Sequence, residues 1–344
     1  MKAMILAGGL STRLYPLTKL VPKPLVPVAG TPNAAHLLRY LRAYGFDEIA
    51  INLHYLAEAI VQALGDGSQF GVKLHYSYEP ELLGSAGAVK KIEGFFGSEP
   101  FLVVGCDEVT DLRLDRLMNL HREREAIATI GLVECEQVDQ YGVVVLDQRD
   151  KIVGFQEKPP RGSERSKLAN TGVYVFSQAI FERIPAAEFY DFGKQVFPSL
   201  QAAGEQFYGF DARGAYWADI GTPSEYRRAS YDVLRGAVRI PQTQPTGVDP
   251  TAQLASDVRI EGPVRVGAAV RVAAGVTIVG PSVLGDRVCV EAGARLERAI
   301  CWEGATIGAG AILQDAIVGN DYAVEPGSVL TDALAAASDL CRSS

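Results

Sequence analysis

Residues 6–24, LAGGLSTRLYPLTKLVPKP, place two adjacent glycines directly after an apolar run and follow them with Arg13, Lys19 and Lys23. A glycine pair at a strand end lets a phosphate approach backbone N–H groups that a Cβ would shield. Cations beside such a turn suit the neutralisation of a polyanion. The chain has a formal net charge of −8, so this positive charge forms a local anion site and not a broad nucleic-acid-binding face. Walker A requires G-x-x-x-x-G-K-[ST], and the dinucleotide fingerprint requires G-x-G-x-x-G. GGLSTRLYP is neither, which disfavours a P-loop ATPase and a nicotinamide dehydrogenase.

The segment resembles the nucleotidyltransferase signature of the sugar-nucleotide pyrophosphorylases, L-A-G-G-x-G-T-R-L-x-P-L-T-x-x-x-P-K-P. The shared positions are Leu6, Ala7, Gly8, Gly9, Thr12, Arg13, Leu14, Pro16, Leu17, Thr18, Pro22, Lys23 and Pro24. Ser11 stands where that family has glycine, and its small size predicts retained phosphate binding with altered loop stiffness. The resemblance implies that Leu6, Ala7, Gly8, Gly9, Ser11 and Thr12 bind nucleotide and that Arg13 and Lys23 are catalytic. ELLGSAGAV (81–89) is similar to the family's L-G-T-A-G-A element, which implies base and ribose contacts for Gly84 and Ser85. VVGCDEVTDL (103–112) resembles the strand that ends in a metal-binding aspartate, here Asp107, with Gly105-Cys106 replacing the common Asn-Gly. Gly142 in YGVVVLD, Glu157 and Lys158 in FQEKP, and Asn170 in ANTGVYVF resemble the sugar-phosphate pocket. YWADIGTPSEY resembles the second metal element and assigns Asp219, so the implied cofactor is Mg²⁺.

The reaction implied is nucleotidyl transfer from a nucleoside triphosphate to a sugar 1-phosphate, releasing pyrophosphate. Two polyanions must meet, so charge neutralisation by Arg13, Lys23 and Lys158 is the main requirement. Taken singly, some of these residues have plainer readings. Asp107 after a buried strand could be a helix N-cap, Asp219 a turn residue and Lys158 a solvated loop cation. Lys19 stays unassigned, and Glu79 and Glu81 read as a rim. LVPKPLVPVAG with GSAGAV is most similar to mannose-1-phosphate guanylyltransferases, and Gly87 leaves room for a purine edge. GTP and mannose 1-phosphate giving GDP-mannose is therefore the expected reaction. The alternatives are uridylyl, thymidylyl or adenylyl transfer to glucose 1-phosphate, or a non-catalytic regulatory homologue that binds sugar nucleotide. Acyltransfer is disfavoured, because His36, His54, His75 and His121 all precede the repeats described next.

These residues need a scaffold. At 344 residues, two domains are expected. Residues 1–235 alternate strand-like and helix-like segments, from KAMILA and NAAHLLRYLRAYG to FDEIAINL, AEAIVQALG, VKLHYSY, SAGAVKKIEGFF and PFLVVG. That order predicts an α/β, Rossmann-like domain with a mixed, mostly parallel sheet. GVVVLD with IVGFQEK reads as a hairpin. Residues 236–253 read as a linker. From residue 254 to 330 the period becomes six, with Leu254, Ile260, Val266, Val272, Ile278, Leu284, Val290, Leu296 and Trp302 in phase and a one-residue slip near Ile307. A second small or apolar residue follows each by four, including Ile300 and Thr306. This predicts a left-handed parallel β-helix of roughly four coils, expected to pair chains into a homo-oligomer. Residues 331–344 read as a tail, either a capping helix or a frayed end. Five scattered cysteines without a C-x-x-C pair, no signal peptide and no apolar span predict a cytoplasmic, reduced protein without nucleic-acid or membrane partners.

Overall fold

The apolar run before the glycine pair is a strand, Lys2–Leu6, with its central residues buried. In the computed structural model, which describes residues 1–136, 138–241 and 244–337, it pairs in parallel with Glu48–Leu53 and with Phe101–Gly105. Lys73–Tyr78 extends the parallel edge beyond Glu48–Leu53. On the other side Leu168–Phe176 runs antiparallel to Phe101–Gly105 and also pairs with Gly142–Leu146 and Ala128–Glu134. Gly142–Leu146 and Ile152–Glu157 form the expected hairpin, and Phe207–Asp211 closes the nine-stranded mixed sheet against Ala128–Glu134. The helices follow the apolar periodicity: Asn33–Ala43, Ala57–Leu64, and Gly84–Lys91 continued by Glu93–Phe96. Leu114–Glu123, not singled out from the sequence, is a further helix that buries Leu114, Leu117 and Met118. The core stacks Phe176, Phe192 and Phe197 beneath the sheet.

By contacts, the chain divides into two units, each treated separately below. The first is Met1–Leu10 with Leu37–Trp217, and the second is Ser11–His36 with Ala218–Ser344. In the second unit, parallel strands from Gly247 to Ala335 lie in three sheets of six, five and five members. Together they form the left-handed parallel β-helix predicted from the repeat. It has five full turns and a sixth strand on one face, more than the four coils the repeat suggested. Of the expected tail 331–344, the first half carries the last β-helix strand, Leu334–Ala335, in place of a capping helix, and residues 338–344, including Cys341, lie outside the described residues.

The slip in the repeat lies earlier than Ile307. Val264 pairs with Ser282, eighteen residues on, but Val283 pairs with Ile300, seventeen on. The lost residue is at the corner Glu297-Arg298, where Arg298 takes φ 49° and turns the chain alone. Cys301, not Trp302, therefore continues the inward row from Leu284 and joins the coil interior. Ala299 and Ala305 likewise replace Ile300 and Thr306 as the inward small residues. Asp315 and Asp332 repeat the short corner with φ 50° and 49°. Among the described residues, no helix is long and apolar enough to cross a membrane, and Cys106, Cys135, Cys289 and Cys301 form no disulfide.

Candidate active site

In the first unit, the turn after Lys2–Leu6 is fixed by a buried polar relay. Asn52, at the carboxyl end of the neighbouring parallel strand, accepts a hydrogen bond from the Ala7 N–H through Oδ1 at 2.7 Å. Its Nδ2 donates to Glu79 Oε1 at 2.9 Å, and Glu79 Oε2 accepts from the Leu83 N–H at 3.2 Å. Leu6 and Ala7 thus lead into a turn tethered to the residue just before Gly84. Gly8 is buried, and a Cβ there would lie 2.8 Å from Asn52 Nδ2, whereas at Gly9 nothing lies within 4 Å. Gly8 is required by its own neighbours, and Gly9 leaves open space for a ligand. Glu79 is 1% exposed, which corrects its reading as a rim residue. Asn52 was missed, although a polar residue near the end of the apolar strand EIAINL was the available signal.

The expected base element is the helix Gly84–Lys91. Gly84 has φ 72°, and a Cβ there would come within 2.5 Å of the Tyr190 carbonyl oxygen, which accepts the Ala86 and Gly87 N–H groups. Gly87 is closed in the same way, its Cβ position lying 2.6 Å from the Glu188 carbonyl oxygen. It is glycine because backbone packs on it, so the purine-space argument does not hold. Ser85 Oγ donates to Asp191 Oδ2 at 2.9 Å and accepts from the Phe192 N–H at 2.9 Å.

Asp191 leads to the residues expected from the sequence to form the sugar-phosphate pocket. A Cβ on Gly193 would lie 2.7 Å from Glu157 Oε2 and 3.4 Å from Asp191 Oδ1. A Cβ on Gly142 would lie 3.2 Å from Glu157 Oε2 and 3.4 Å from Asn170 Cβ. Gly142, Glu157 and Asn170 are therefore brought together, and Asp191 and Gly193 join them without any periodic signal in the sequence. Asn170 accepts the Gly172 N–H and donates to Tyr174 Oη at 3.1 Å. Although Glu157 is exposed as a residue, desolvation of its carboxyl raises it above the ordinary glutamate value, opposed by Lys158 and reinforced by Asp191. Lys158 itself is exposed, with φ 45° and its N–H on the Tyr141 carbonyl.

Asp107 sits in the turn between strands Phe101–Gly105 and Glu108–Thr110, not at a helix N-cap. A Cβ on Gly105 would lie 2.7 Å from Asp107 Oδ1 and 3.0 Å from Glu108 Oε1. Glu108, a second acid the sequence reading passed over, is buried and accepts the Trp217 indole N–H at 2.6 Å.

In the second unit, Ser11 adopts φ 54°, the left-handed conformation that glycine takes without strain, and its carbonyl accepts from Thr18 Oγ1 at 2.7 Å. Thr12 and Arg13 are exposed in the 3₁₀ turn Thr12–Leu14, and Lys23 opens the turn Lys23–Leu25 with 9% exposure. Lys23 Nζ lies 4.0 Å from Asp219 Oδ1. A Cβ on Gly221 would collide with the Asp219 carboxylate and lie 2.8 Å from Arg13 Nη2. Arg13 and Asp219 thus meet at one glycine, and Lys23 joins them through the Asp219 carboxylate. Among the described residues no three His, Cys, Asp or Glu side chains form a metal cluster. Single carboxylates packed over glycines, as at Asp107 and Asp219, suit Mg²⁺, which takes one or two carboxylates and completes its shell with phosphate oxygens and water.

The Nucleotidyl transferase family model matches residues 2–236, and a GlmU-like, C-terminal hexapeptide model matches residues 261–335. The chain is 39% identical over 329 residues to a UTP--glucose-1-phosphate uridylyltransferase of Synechocystis sp., covering 90% of this chain and 84% of that protein. It is 32% identical over 309 residues to a mannose-1-phosphate guanylyltransferase of Mycobacterium tuberculosis, covering 89% and 80%. A Bacillus anthracis protein assigned as a glucose-1-phosphate thymidylyltransferase, solved with sucrose, is similar with a TM-score of 0.63 at 25% identity. That similarity covers 71% of this chain and 98% of the other.

Proposed function

The chain belongs to the nucleotidyl transferase family, and from that membership we propose how its residues divide the work of a sugar-1-phosphate nucleotidyltransferase. The observation that carries the reading is that Arg13 and Asp219 meet at Gly221 and that Lys23 lies 4.0 Å from the same Asp219 carboxylate. These residue types answer the electrostatic problem of joining two polyanions. Leu6, Ala7, Gly8, Gly9, Ser11 and Thr12 form the nucleotide-binding segment, with Gly84 and Ser85 at the nucleoside. Gly142, Glu157, Lys158 and Asn170 hold the sugar phosphate. Its oxygen is already ionised at pH 7, so no general base is needed. That oxygen attacks the α-phosphorus in line, the α–β bond breaks and pyrophosphate leaves. Arg13 and Lys23 stabilise the charge that builds on the transferred and leaving phosphates. Asp107 and Asp219 are the proposed carboxylates for Mg²⁺, which would neutralise phosphate charge when bound.

For the substrates we place uridylyl transfer to glucose 1-phosphate first, supported by the 39% identical relative and by the loss of the Gly87 argument. GTP and mannose 1-phosphate giving GDP-mannose is the second reading, supported by relatives of that name at 30–35% identity. Four nucleoside triphosphates tested against glucose and mannose 1-phosphates, reading pyrophosphate release with and without Mg²⁺, decide between them. No turnover in any combination would overturn the catalytic reading and leave a regulatory binder. Asp107→Asn should remain folded and lose Mg²⁺-dependent turnover, and wild-type rates would remove Asp107 from the metal role.

We place the protein in the cytoplasm, since scattered cysteines without a C-x-x-C pair suit a reducing compartment. We also place a homo-oligomer contact on the β-helix, where paired Ile312 and Val329 are 42% and 64% exposed. Light scattering should give a multiple of the single-chain mass, reduced in Val329→Glu. A wild-type monomer would refute it.

A further inference from the structure

We propose that Tyr226 is a positioning residue for Lys23 and Asp219 and that Trp302 of the β-helix holds it in place, so that turnover depends on the β-helix of the same chain. This rests on the catalytic reading above.

One outer row of the β-helix is apolar yet covered. Val283, Ile300 and Ile317 pair in register on the six-stranded face, and each is at most 1% exposed. Elements of the same unit pack near them. A Cβ on Gly30 would lie 3.5 Å from Val283 Cγ1, and one on Gly319 would lie 3.5 Å from Leu17 Cδ2. The helix Pro223–Leu234 contributes Tyr231, whose hydroxyl donates to the Arg298 carbonyl, and Arg227, whose Nη1 donates to the Asp315 carbonyl at 2.5 Å.

Tyr226 lies where these elements meet. It is fully buried, and its hydroxyl both donates to the Pro27 carbonyl at 2.7 Å and accepts from Trp302 Nε1 at 2.8 Å. The two rings meet edge to face at 6.1 Å. Burial raises the phenol well above its ordinary value, so it keeps the proton that it donates. Pro27 follows the Lys23 turn directly, and that turn is closed by Val26 N–H on the Lys23 carbonyl and Asn33 N–H on the Val26 carbonyl. On its other side, the helix of Tyr226 begins at Pro223 behind the Thr222 N-cap, three residues after Asp219. One hydroxyl therefore fixes the backbone next to the lysine and the helix next to the aspartate. The short corner at Arg298 decides that Trp302 is available, because it turns Cys301 inward and leaves the indole to meet Tyr226. Positioning of this kind has leverage, since a misplacement of about 1 Å can lower a rate about 100-fold.

The test uses the full chain and the substrate pair that the wild type turns over fastest. Trp302→Phe, which loses one buried hydrogen bond, should lower kcat about 10-fold, and Tyr226→Phe, which loses both bonds of the hydroxyl, should lower it by at least about 10-fold. Amide hydrogen exchange should quicken across residues 11–28 and stay unchanged in the strand Phe101–Gly105. The double variant should be no slower than Tyr226→Phe, because both act through one hydroxyl. Arg271→Ala, exposed on a different face of the β-helix, should keep wild-type kcat. Wild-type kcat and exchange in both aromatic variants would overturn the proposal. So would a loss of kcat with exchange quickened evenly across the chain, which is the signature of lowered stability alone. If Trp302→Phe does not fold, Tyr226→Phe decides, since it keeps the ring. If the wild type turns over no substrate, the catalytic reading fails, and exchange in 11–28 still decides whether Trp302 and Tyr226 hold that segment.

Discussion

Replacing Asn52 by alanine removes the amide that joins the glycine turn to the Leu83–Gly84 element. The Ala7 N–H then loses its acceptor and Glu79 Oε1 loses its donor, and both contacts are buried. A buried polar group left without its partner costs about 1–3 kcal/mol, so two together should lower stability by about 2–5 kcal/mol. The structure also predicts a coupling. A Cβ on Gly8 would meet Asn52 Nδ2 at 2.8 Å, and that amide is held at both ends and has nowhere to move. Gly8→Ala should therefore cost about 1–3 kcal/mol in the wild type, as overpacking does. In the Asn52→Ala background the nearest remaining neighbour, Leu82 Cδ2, lies at an ordinary 3.4 Å. There the penalty should largely vanish, giving an interaction of about 1–2 kcal/mol. Urea denaturation of the four proteins measures the cycle. A single-variant loss below about 0.5 kcal/mol, or equal Gly8→Ala costs in both backgrounds, would refute the relay.

Three further outcomes follow from particular residues. Burial lowers His121 to about 4 from its ordinary 6.5, so the folded chain resists a proton that the unfolded chain accepts. Stability should be whole above pH 6.5 and fall by roughly 3 kcal/mol as pH drops to about 4. His121→Asn should flatten that slope in denaturation midpoints measured against pH. Gly84→Ala combines φ 72° with a Cβ 2.5 Å from the Tyr190 carbonyl oxygen. It should lose about 3 kcal/mol or more in urea unfolding, because backbone must separate from backbone. Ser11→Gly relieves the left-handed strain at φ 54° and should leave stability equal or raised by up to about 1 kcal/mol. A destabilised Ser11→Gly protein would show that the serine contributes something the backbone conformation does not explain.

The sequence by itself determined the element types and the chemistry class. Strand and helix periods read directly as the sheet and its helices, because each element repeats its apolar residues at its own spacing. A six-residue repeat admits short stacked strands and little else. The glycine-and-cation signature is contiguous, so neither the glycine turn nor the candidates Arg13 and Lys23 required a fold to be seen. Three things depended on tertiary structure. The first was the partners of residues far apart in the chain: Asn52 with Glu79, Ser85 with Asp191 and Tyr226 with Trp302 come from separate elements, and no local pattern encodes such pairs. The second was why a given glycine is there, since Gly87 yields to the Glu188 backbone while open space remains at Gly9. The third was the phase of the coils. A single residue missing at Arg298 sends Cys301 inward and Trp302 outward, and an apolar residue satisfies the repeat in either direction. Apolar periodicity reports that a side chain is buried, but only the packed structure decides what it is buried against.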